Sequence, residues 1–215
     1  MSKMTILLVR HGQSEGNVLG LFTGHSGYPL SELGHKQAAK TAEYIHANYQ
    51  VDAVYCSDLP RAFQTAEHTA KVFGLPVITH AGLREINAGD WENQSFDALL
   101  PLYPDSFPLW RNDFLNAYCV GGESVREVGE RGAKALYEIA EENPGKCVVV
   151  ASHATTIRSS LWKISGAPES AMQDMLYSAN CGVSELSYVD GKLQIVSMNY
   201  ADHLADLQTV LPSNL

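Results

Sequence analysis

Thr5-Ile6-Leu7-Leu8-Val9-Arg10-His11-Gly12-Gln13 is an aliphatic and β-branched run that stops abruptly at a cation, an imidazole and a glycine. Such a run reads as a buried strand of about residues 4–10. In open α/β sheets, ligands bind beyond the carboxyl ends of the strands. Arg10 and His11 therefore fall where that kind of fold places its chemistry. The same pair also suits a polar strand end, so its meaning depends on what the rest of the chain brings to it.

The chain has 215 residues, 45% hydrophobic and 18% charged, the composition of a globular protein. Its net charge of −9 disfavours nucleic acid and anionic membranes as partners. An anionic substrate would need a local cationic pocket against that field. The four cysteines, Cys56, Cys119, Cys147 and Cys181, are widely spaced without a C-x-x-C. They read as free thiols in a reducing compartment. The apolar run before Arg10 is too short for a signal or membrane segment, and no later run approaches a span. A cytoplasmic protein is expected.

Working outward, residues 11–31 form a long loop rich in Gly, Ser and Asn. It also carries apolar Leu19, Leu21 and Phe22, which argues for a packed loop. Ser31 caps a helix running to about Tyr49. Residues 51–56 read as a second strand. Asp58 and Pro60 then suit the start of a helix that ends at Gly74. Val77-Ile78-Thr79 is a short third strand. Residues 95–117 look helical in pieces, interrupted by Pro101, Pro104 and Pro108 and crowded with aromatics. This stretch, about 93–120, reads as a helical cap inserted over the sheet. Ser124 and Glu127 form a capping box for a helix to about Glu142.

Cys147-Val148-Val149-Val150-Ala151 is the most β-like run of the chain. It ends at Ser152-His153-Ala154, with a helix over about 154–165. Two late strands flank Asp190-Gly191, a hairpin signal, and the polar tail from Tyr200 wraps the surface. Alternating strands and helices predict a three-layer α/β sandwich in one domain over 1–215. Its central sheet is mainly parallel, with an antiparallel edge.

Two strands thus end alike, in Arg10-His11 and in Ser152-His153. Parallel neighbours bring their carboxyl ends together, so the two imidazoles can meet. Arg61 lies in the first turn of a helix at the same edge. Two imidazoles and two guanidiniums suit a tetrahedral oxyanion, because the arginine fork matches phosphate oxygens. Helix N-termini near residues 59 and 154 would add backbone donors. The chemistry that fits is phosphoryl transfer through a histidine nucleophile, with an acid to protonate the leaving oxygen. Glu85 is the best-placed acid, and Asp90 and Glu92 are its rivals.

The chain resembles the histidine phosphatase superfamily, in the branch of cofactor-dependent phosphoglycerate mutases and small broad-specificity phosphatases. The resemblance rests on Leu8 to Ser14 with Asn17, Thr23-Gly24, Pro29-Leu30-Ser31 with Gly34, Ser57 to Ala62 with Gln64-Thr65-Ala66, Leu83-Arg84-Glu85 with Gly89, Trp91 and Glu92, Gly122-Glu123-Ser124, and Ser152-His153 with Ile157-Arg158. It implies that His11 is the phosphorylated nucleophile and that Arg10, Arg61, His153 and Asn17 hold the phosphoryl group. It implies Glu85 as general acid and then base, and Thr23 and Gly24 as lining on the substrate side. No metal and no cofactor are implied. The other histidines (His25, His35, His46, His68, His80 and His203) are expected to be surface or packing residues. Where the family commonly has Gly after the second histidine, this chain has Ala154, which leaves the backbone N–H available for phosphate. Gly12 is expected to let the backbone approach the oxyanion. Gln13 has no assigned role.

The expected activity is hydrolysis of a small phosphorylated metabolite. A mutase would hold the intermediate and return it to a bound sugar acid, for which extra cations after the Glu85 motif are expected. Residues 93–120 hold one, Arg111, against Asp97, Asp105 and Asp113. That favours a phosphatase with an apolar or mixed leaving group in an aromatic pocket. A silent phospholigand-binding module is the third alternative, but it would be expected to lose His11 or Glu85. The physiological substrate and the oligomeric state stay open.

Overall fold

The opening strand sits at the centre of the molecule because both of its faces are apolar. The structure, a computed structural model, describes residues 3–209. Six strands, β1 (Met4–Arg10), β2 (Ala53–Cys56), β3 (Val77–Thr79), β4 (Cys147–Ser152), β5 (Val183–Val189) and β6 (Lys192–Tyr200), form one sheet in the order β3-β2-β4-β1-β5-β6. The first four in that order are parallel, and the β5–β6 hairpin supplies the antiparallel pairing at the edge. The second strand is shorter than expected, since Val51 and Asp52 precede it.

Side chains alternate across a strand, and here each face is covered. Ile6, Leu8, Val148 and Val150 pack against Leu136 and Ile139 of α6 (Val125–Glu142) and Ile157 and Leu161 of α7 (Ala154–Ser165). Leu7, Val9, Val54 and Val149 pack against Ile45 of α2 (Glu32–Asn48) and Ala66 and Ala70 of α3 (Pro60–Phe73). The result is the expected three layers. Ser31 and Ser124 cap their helices as their sequences predict, the latter in a full capping box. Gly74 closes α3 at φ 66°, in the left-handed region that glycine tolerates.

Two local expectations are corrected. Asp58 does not cap α3, whose N-cap is Leu59 without a side-chain hydrogen bond. Its carboxylate instead accepts from Arg84 Nε and Nη2 at 2.7 and 2.5 Å, which holds the carboxyl below its usual range. The 11–31 loop is not structureless. Ser14 and Asn17 form a capping box around a single turn, α1 (Glu15–Val18).

The segment of residues 93–120 folds into α4 (Phe96–Leu102), α5 (Phe107–Asn112) and a 3-10 turn (Phe114–Asn116). It has its own apolar cluster of Phe22, Trp91, Leu99, Phe107, Trp110 and Phe114. Phe22 meets Trp91 and Trp110 edge to face at 5.4 and 4.9 Å, a favoured aromatic geometry. Of the tail, Asp202–Leu207 form 3-10 turns with Leu204 packed near Ala38. Residues 210–215 lie outside the described residues. Among the described residues no helix is long and apolar enough to cross a membrane. All four cysteines are free.

Candidate active site

The site is assembled by the register of β1 against β4. Arg10 pairs with Ser152, so the next residues, His11 and His153, emerge side by side at the carboxyl edge. The His11 amide donates to the Ser152 carbonyl at 2.9 Å, and the two ring centroids are 5.1 Å apart. Both imidazoles are buried.

The His11 tautomer follows from its neighbours. Nδ1 lies 2.7 Å from the Gly12 carbonyl oxygen, which can only accept, so Nδ1 carries the proton. Nε2 is then a bare lone pair, and Arg61 Nε donates to it at 3.3 Å. Burial first, then the charges of Arg61 and Arg10, push the His11 pKa well below the ordinary imidazole value. Burial, followed by Arg61 and His11, does the same to His153. Both rings are neutral at neutral pH.

This neutrality has a consequence for stability. The unfolded chain binds protons on these two imidazoles below about pH 6.5, and the native fold refuses them. Stability should therefore fall as pH drops below that value, by up to about 1.4 kcal/mol per pH unit for each ring. Thermal melts from pH 8 to 5 test this. A flat profile contradicts it, and added inorganic phosphate should shrink the slope.

Arg10 projects onto the cavity beside His11, with Nη1 donating to the Ser178 carbonyl at 2.5 Å and its guanidinium 5.6 Å from the Tyr177 ring centre. Its Nε, and both ring nitrogens of His153, are buried without a hydrogen-bond partner among the described residues. Unpaired donors of this kind cost about 1–3 kcal/mol each, which an anionic oxygen would recover.

Arg61, besides its bond to His11, also holds a loop. Its Nη atoms donate to the carbonyls of Thr23, Gly24 and Ser26 at 3.2, 2.8 and 3.0 Å, so it fastens the 23–26 loop behind His11. Arg61, Gly24 and His153 do not line the cavity, whereas Arg10, His11, Asn17, Thr23, Glu85 and Ala154 do. Gly24 has no room for a side chain, because a Cβ would run into the Ile86 carbonyl. Asn17 Oδ1 is already engaged, accepting from the Ser14 amide at 3.1 Å and from Asn180 Nδ2 at 3.4 Å.

Glu85 is held from every side. Its Oε1 accepts from the Ile86 amide at 2.9 Å and from the Thr156 amide at 3.3 Å, and its Oε2 accepts from the Thr155 amide at 3.2 Å, while the Thr156 hydroxyl gives its proton to the Arg84 carbonyl at 2.7 Å. The Thr155 and Thr156 amides in the first turn of α7 thus serve this carboxyl group. The Glu85 carbonyl accepts from Arg131 Nη2 at 2.8 Å, and Arg131 is itself paired with Glu123. His25 Nε2 reaches the same carbonyl at 3.0 Å. The rival acids are elsewhere. Glu92 binds the backbone of Gly24 and His25 and the Ser26 hydroxyl, and Asp90 is exposed.

Two further readings are revised. The Gly12 amide donates to Thr65 Oγ1 at 3.0 Å, and a Cβ there would lie 2.5 Å from the Gly34 carbonyl. Close helix approach, not an oxyanion, demands glycine at residue 12. Ala154 opens α7 in ordinary helical geometry, so a residue with a Cβ fits without strain. Residues that sequence reasoning missed include Thr155, Tyr177, Asn180 and Asp97 on the cavity wall. Thr155 was within reach, two residues past His153 at a helix start. Tyr177 and Asn180 lie in an irregular run before β5 with no periodic signal.

A neutral imidazole with a bare nitrogen, flanked by guanidiniums and a fixed carboxyl group at the carboxyl edge of a mainly parallel sheet, defines a phosphoryl-transfer enzyme of the histidine type. Comparison with known proteins agrees. The chain belongs to the histidine phosphatase superfamily, branch 1, whose family model matches residues 6–201. It is 29% identical over 178 residues to the adenosylcobalamin/alpha-ribazole phosphatase of Escherichia coli, covering 83% of this chain and 87% of that one. It is 33% identical over 189 residues to the Yersinia pestis protein named Probable phosphoglycerate mutase GpmB, covering 86% and 85%. The structure of a mycobacterial glucosyl-3-phosphoglycerate phosphatase superposes with a TM-score of 0.83 at 26% identity, covering 93% of this chain and all of that one.

Proposed function

We propose that this chain hydrolyses small phosphomonoesters through a phosphohistidine at His11 Nε2. The observation that carries this is the fixed His11 tautomer, whose bare Nε2 sits with Arg10 and Glu85 at one cavity. Nε2 attacks phosphorus in line and the P–O bond to the leaving group breaks. The leaving oxygen takes a proton from the Glu85 carboxyl group. Oε2 is the natural carrier of that proton, since it meets one amide where Oε1 meets two. Water then gives a proton to Glu85 and attacks phosphorus. The P–N bond breaks, releasing inorganic phosphate and the neutral imidazole. As phosphorus arrives, Arg61 Nε exchanges its bond to Nε2 for one to a phosphoryl oxygen. Arg10, His153 and the carboxamide of Asn17 take the others. Thr23 lines the substrate side, and Gly24 acts on it through Arg61.

The whole works as one domain, with the 93–120 segment as the cap over the substrate, and the enzyme acts in the cytoplasm without a metal. Activity should survive exhaustive chelation unchanged, and a loss restored by a divalent cation would reject the metal-free reading. The reading as a whole is tested by brief incubation with a labelled phosphomonoester and an alkaline quench. Label should appear on His11 and be lost in acid; acid-stable label, or label elsewhere, overturns it.

A mutase reading is weaker because Arg10 is the one cation lining the cavity among the described residues, and it belongs to the phosphate end. The carboxylate of a phosphoglycerate would find no partner at the other end. With 3-phosphoglycerate and bisphosphoglycerate, phosphate release should exceed isomer exchange.

A further inference from the structure

We infer that Asp97 determines specificity by excluding anionic leaving groups, so that the substrate is the phosphomonoester of an apolar alcohol bearing no negative charge. This rests on the phosphatase reading above.

The cavity measures about 620 Å³, far more than a phosphoryl group needs. Beyond His11 one part of its wall is apolar, made by Leu19, Leu21, Phe22, Phe96 and Trp110, with Ser95 and Asp97 beside it. The backbone fixes that wall. The Phe22 amide donates to the Gln94 carbonyl at 2.8 Å, the Asn93 amide returns to Phe22 at 2.9 Å, and Leu21 bridges Ser95. Ser95 Oγ then accepts from the Ala98 amide at 3.3 Å and starts α4. Asp97, in the first turn of that helix, is thereby set on the cavity wall beside Phe96.

The charges on the lining are unbalanced. Arg10, Glu85 and Asp97 are its only charged side chains among the described residues. Arg10 and Glu85 stand at the reacting end. Asp97 alone faces the leaving group, and it makes no ion pair with a described cation. Asp97 is itself exposed, so it stands where water reaches it, and like charges about 4 Å apart there still repel by about 1 kcal/mol. A leaving group with a carboxylate meets Asp97 with nothing to offset it. A neutral apolar group is accepted by the rings, and an ammonium or hydroxyl at its far end gains a partner in Asp97. Exclusion by an unpaired like charge is an ordinary route to selectivity. An aspartate in a first helical turn also favours the helix dipole. That role alone would not alter a ratio between substrates.

The test compares phenyl phosphate, 4-(aminomethyl)phenyl phosphate and 4-carboxyphenyl phosphate on the full chain, read as kcat/KM for phosphate release. The wild type should prefer phenyl over carboxyphenyl phosphate by about fivefold, with the amine at least equal to phenyl. Asp97→Asn should close the gap to about twofold, and Asp97→Lys should reverse it. Ratios within each variant cancel any loss of folded protein. Changes in the ratios between variants cancel intrinsic reactivity differences among the esters. Equal or better use of the carboxylate by the wild type, or ratios indifferent to both substitutions, overturns the inference alone. No phosphate release from any of the three overturns the phosphatase reading and this inference together.

Discussion

His11→Asn should lower kcat/KM for phosphate release by about 10⁴-fold or more and abolish acid-labile labelling. No second imidazole lines the cavity among the described residues. Ser152 is fully buried and donates to the Leu83 carbonyl at 2.8 Å. His153 is fully buried beside His11, and neither of its ring nitrogens has a partner that fixes the tautomer, so it lacks the aimed lone pair that the Gly12 carbonyl gives His11. Asparagine keeps an acceptor for Arg61 Nε, which limits the structural cost of the change. Steady-state assay and quench-labelling check the outcome, with thermal melts to confirm folding. Retention of activity within about 100-fold would show that water attacks phosphorus directly and that no phosphohistidine forms.

Glu85→Gln should reduce kcat by about 10²–10⁴-fold on alkyl phosphates, whose leaving oxygen needs a proton. On aryl phosphates with good leaving groups the first step should be spared. The second step should not be, because water then lacks its base, so the phosphoenzyme accumulates. A rapid-quench experiment should show a burst approaching one label per chain, followed by slow turnover. Equal losses on both substrate types with no burst would remove Glu85 from the chemistry. Glutamine is a fair replacement here. It keeps one acceptor for the amides of Ile86 and Thr156, and gives up only the 3.2 Å bond from Thr155.

The parts of the site legible in sequence are those fixed by backbone pattern. Thr5 to Val9 and Cys147 to Ala151 are too apolar to be anything but interior strands, and each ends in a histidine. Parallel pairing then does the rest, which is why His11 and His153 meet. Glu85 was legible as the best-placed carboxyl group after the third strand, with Asp90 and Glu92 as rivals. What escaped was the choice of partners. Asp58 looks like a helix cap, but Arg84 offers a bidentate ion pair across space. Arg61 looks like a phosphate clamp, but unliganded it fastens carbonyls of a loop brought close by folding. The amides of Thr155 and Thr156 suit a phosphate until the Glu85 carboxyl group is seen beneath them. Asp97 carries no local signal at all, since its place on the wall comes from the contacts of residues 21 and 22 with residues 93–95. Periodicity reports burial and direction; partner choice belongs to tertiary packing.

The position of β1 between β4 and β5 sets the order in which the molecule can be completed. Neither flanking strand exists until the ribosome has passed Cys147, and the second only after Val183. During synthesis Met4–Arg10 is therefore an apolar strand with both edges open, held for well over a hundred residues before its first partner arrives. Pairings so distant in sequence close slowly, and open edges invite association with other chains. Enzymatic activity should consequently be among the last properties to return on refolding from denaturant. Chains released before β4 should be aggregation-prone, since the strand that ends in the nucleophile waits longest for its neighbours.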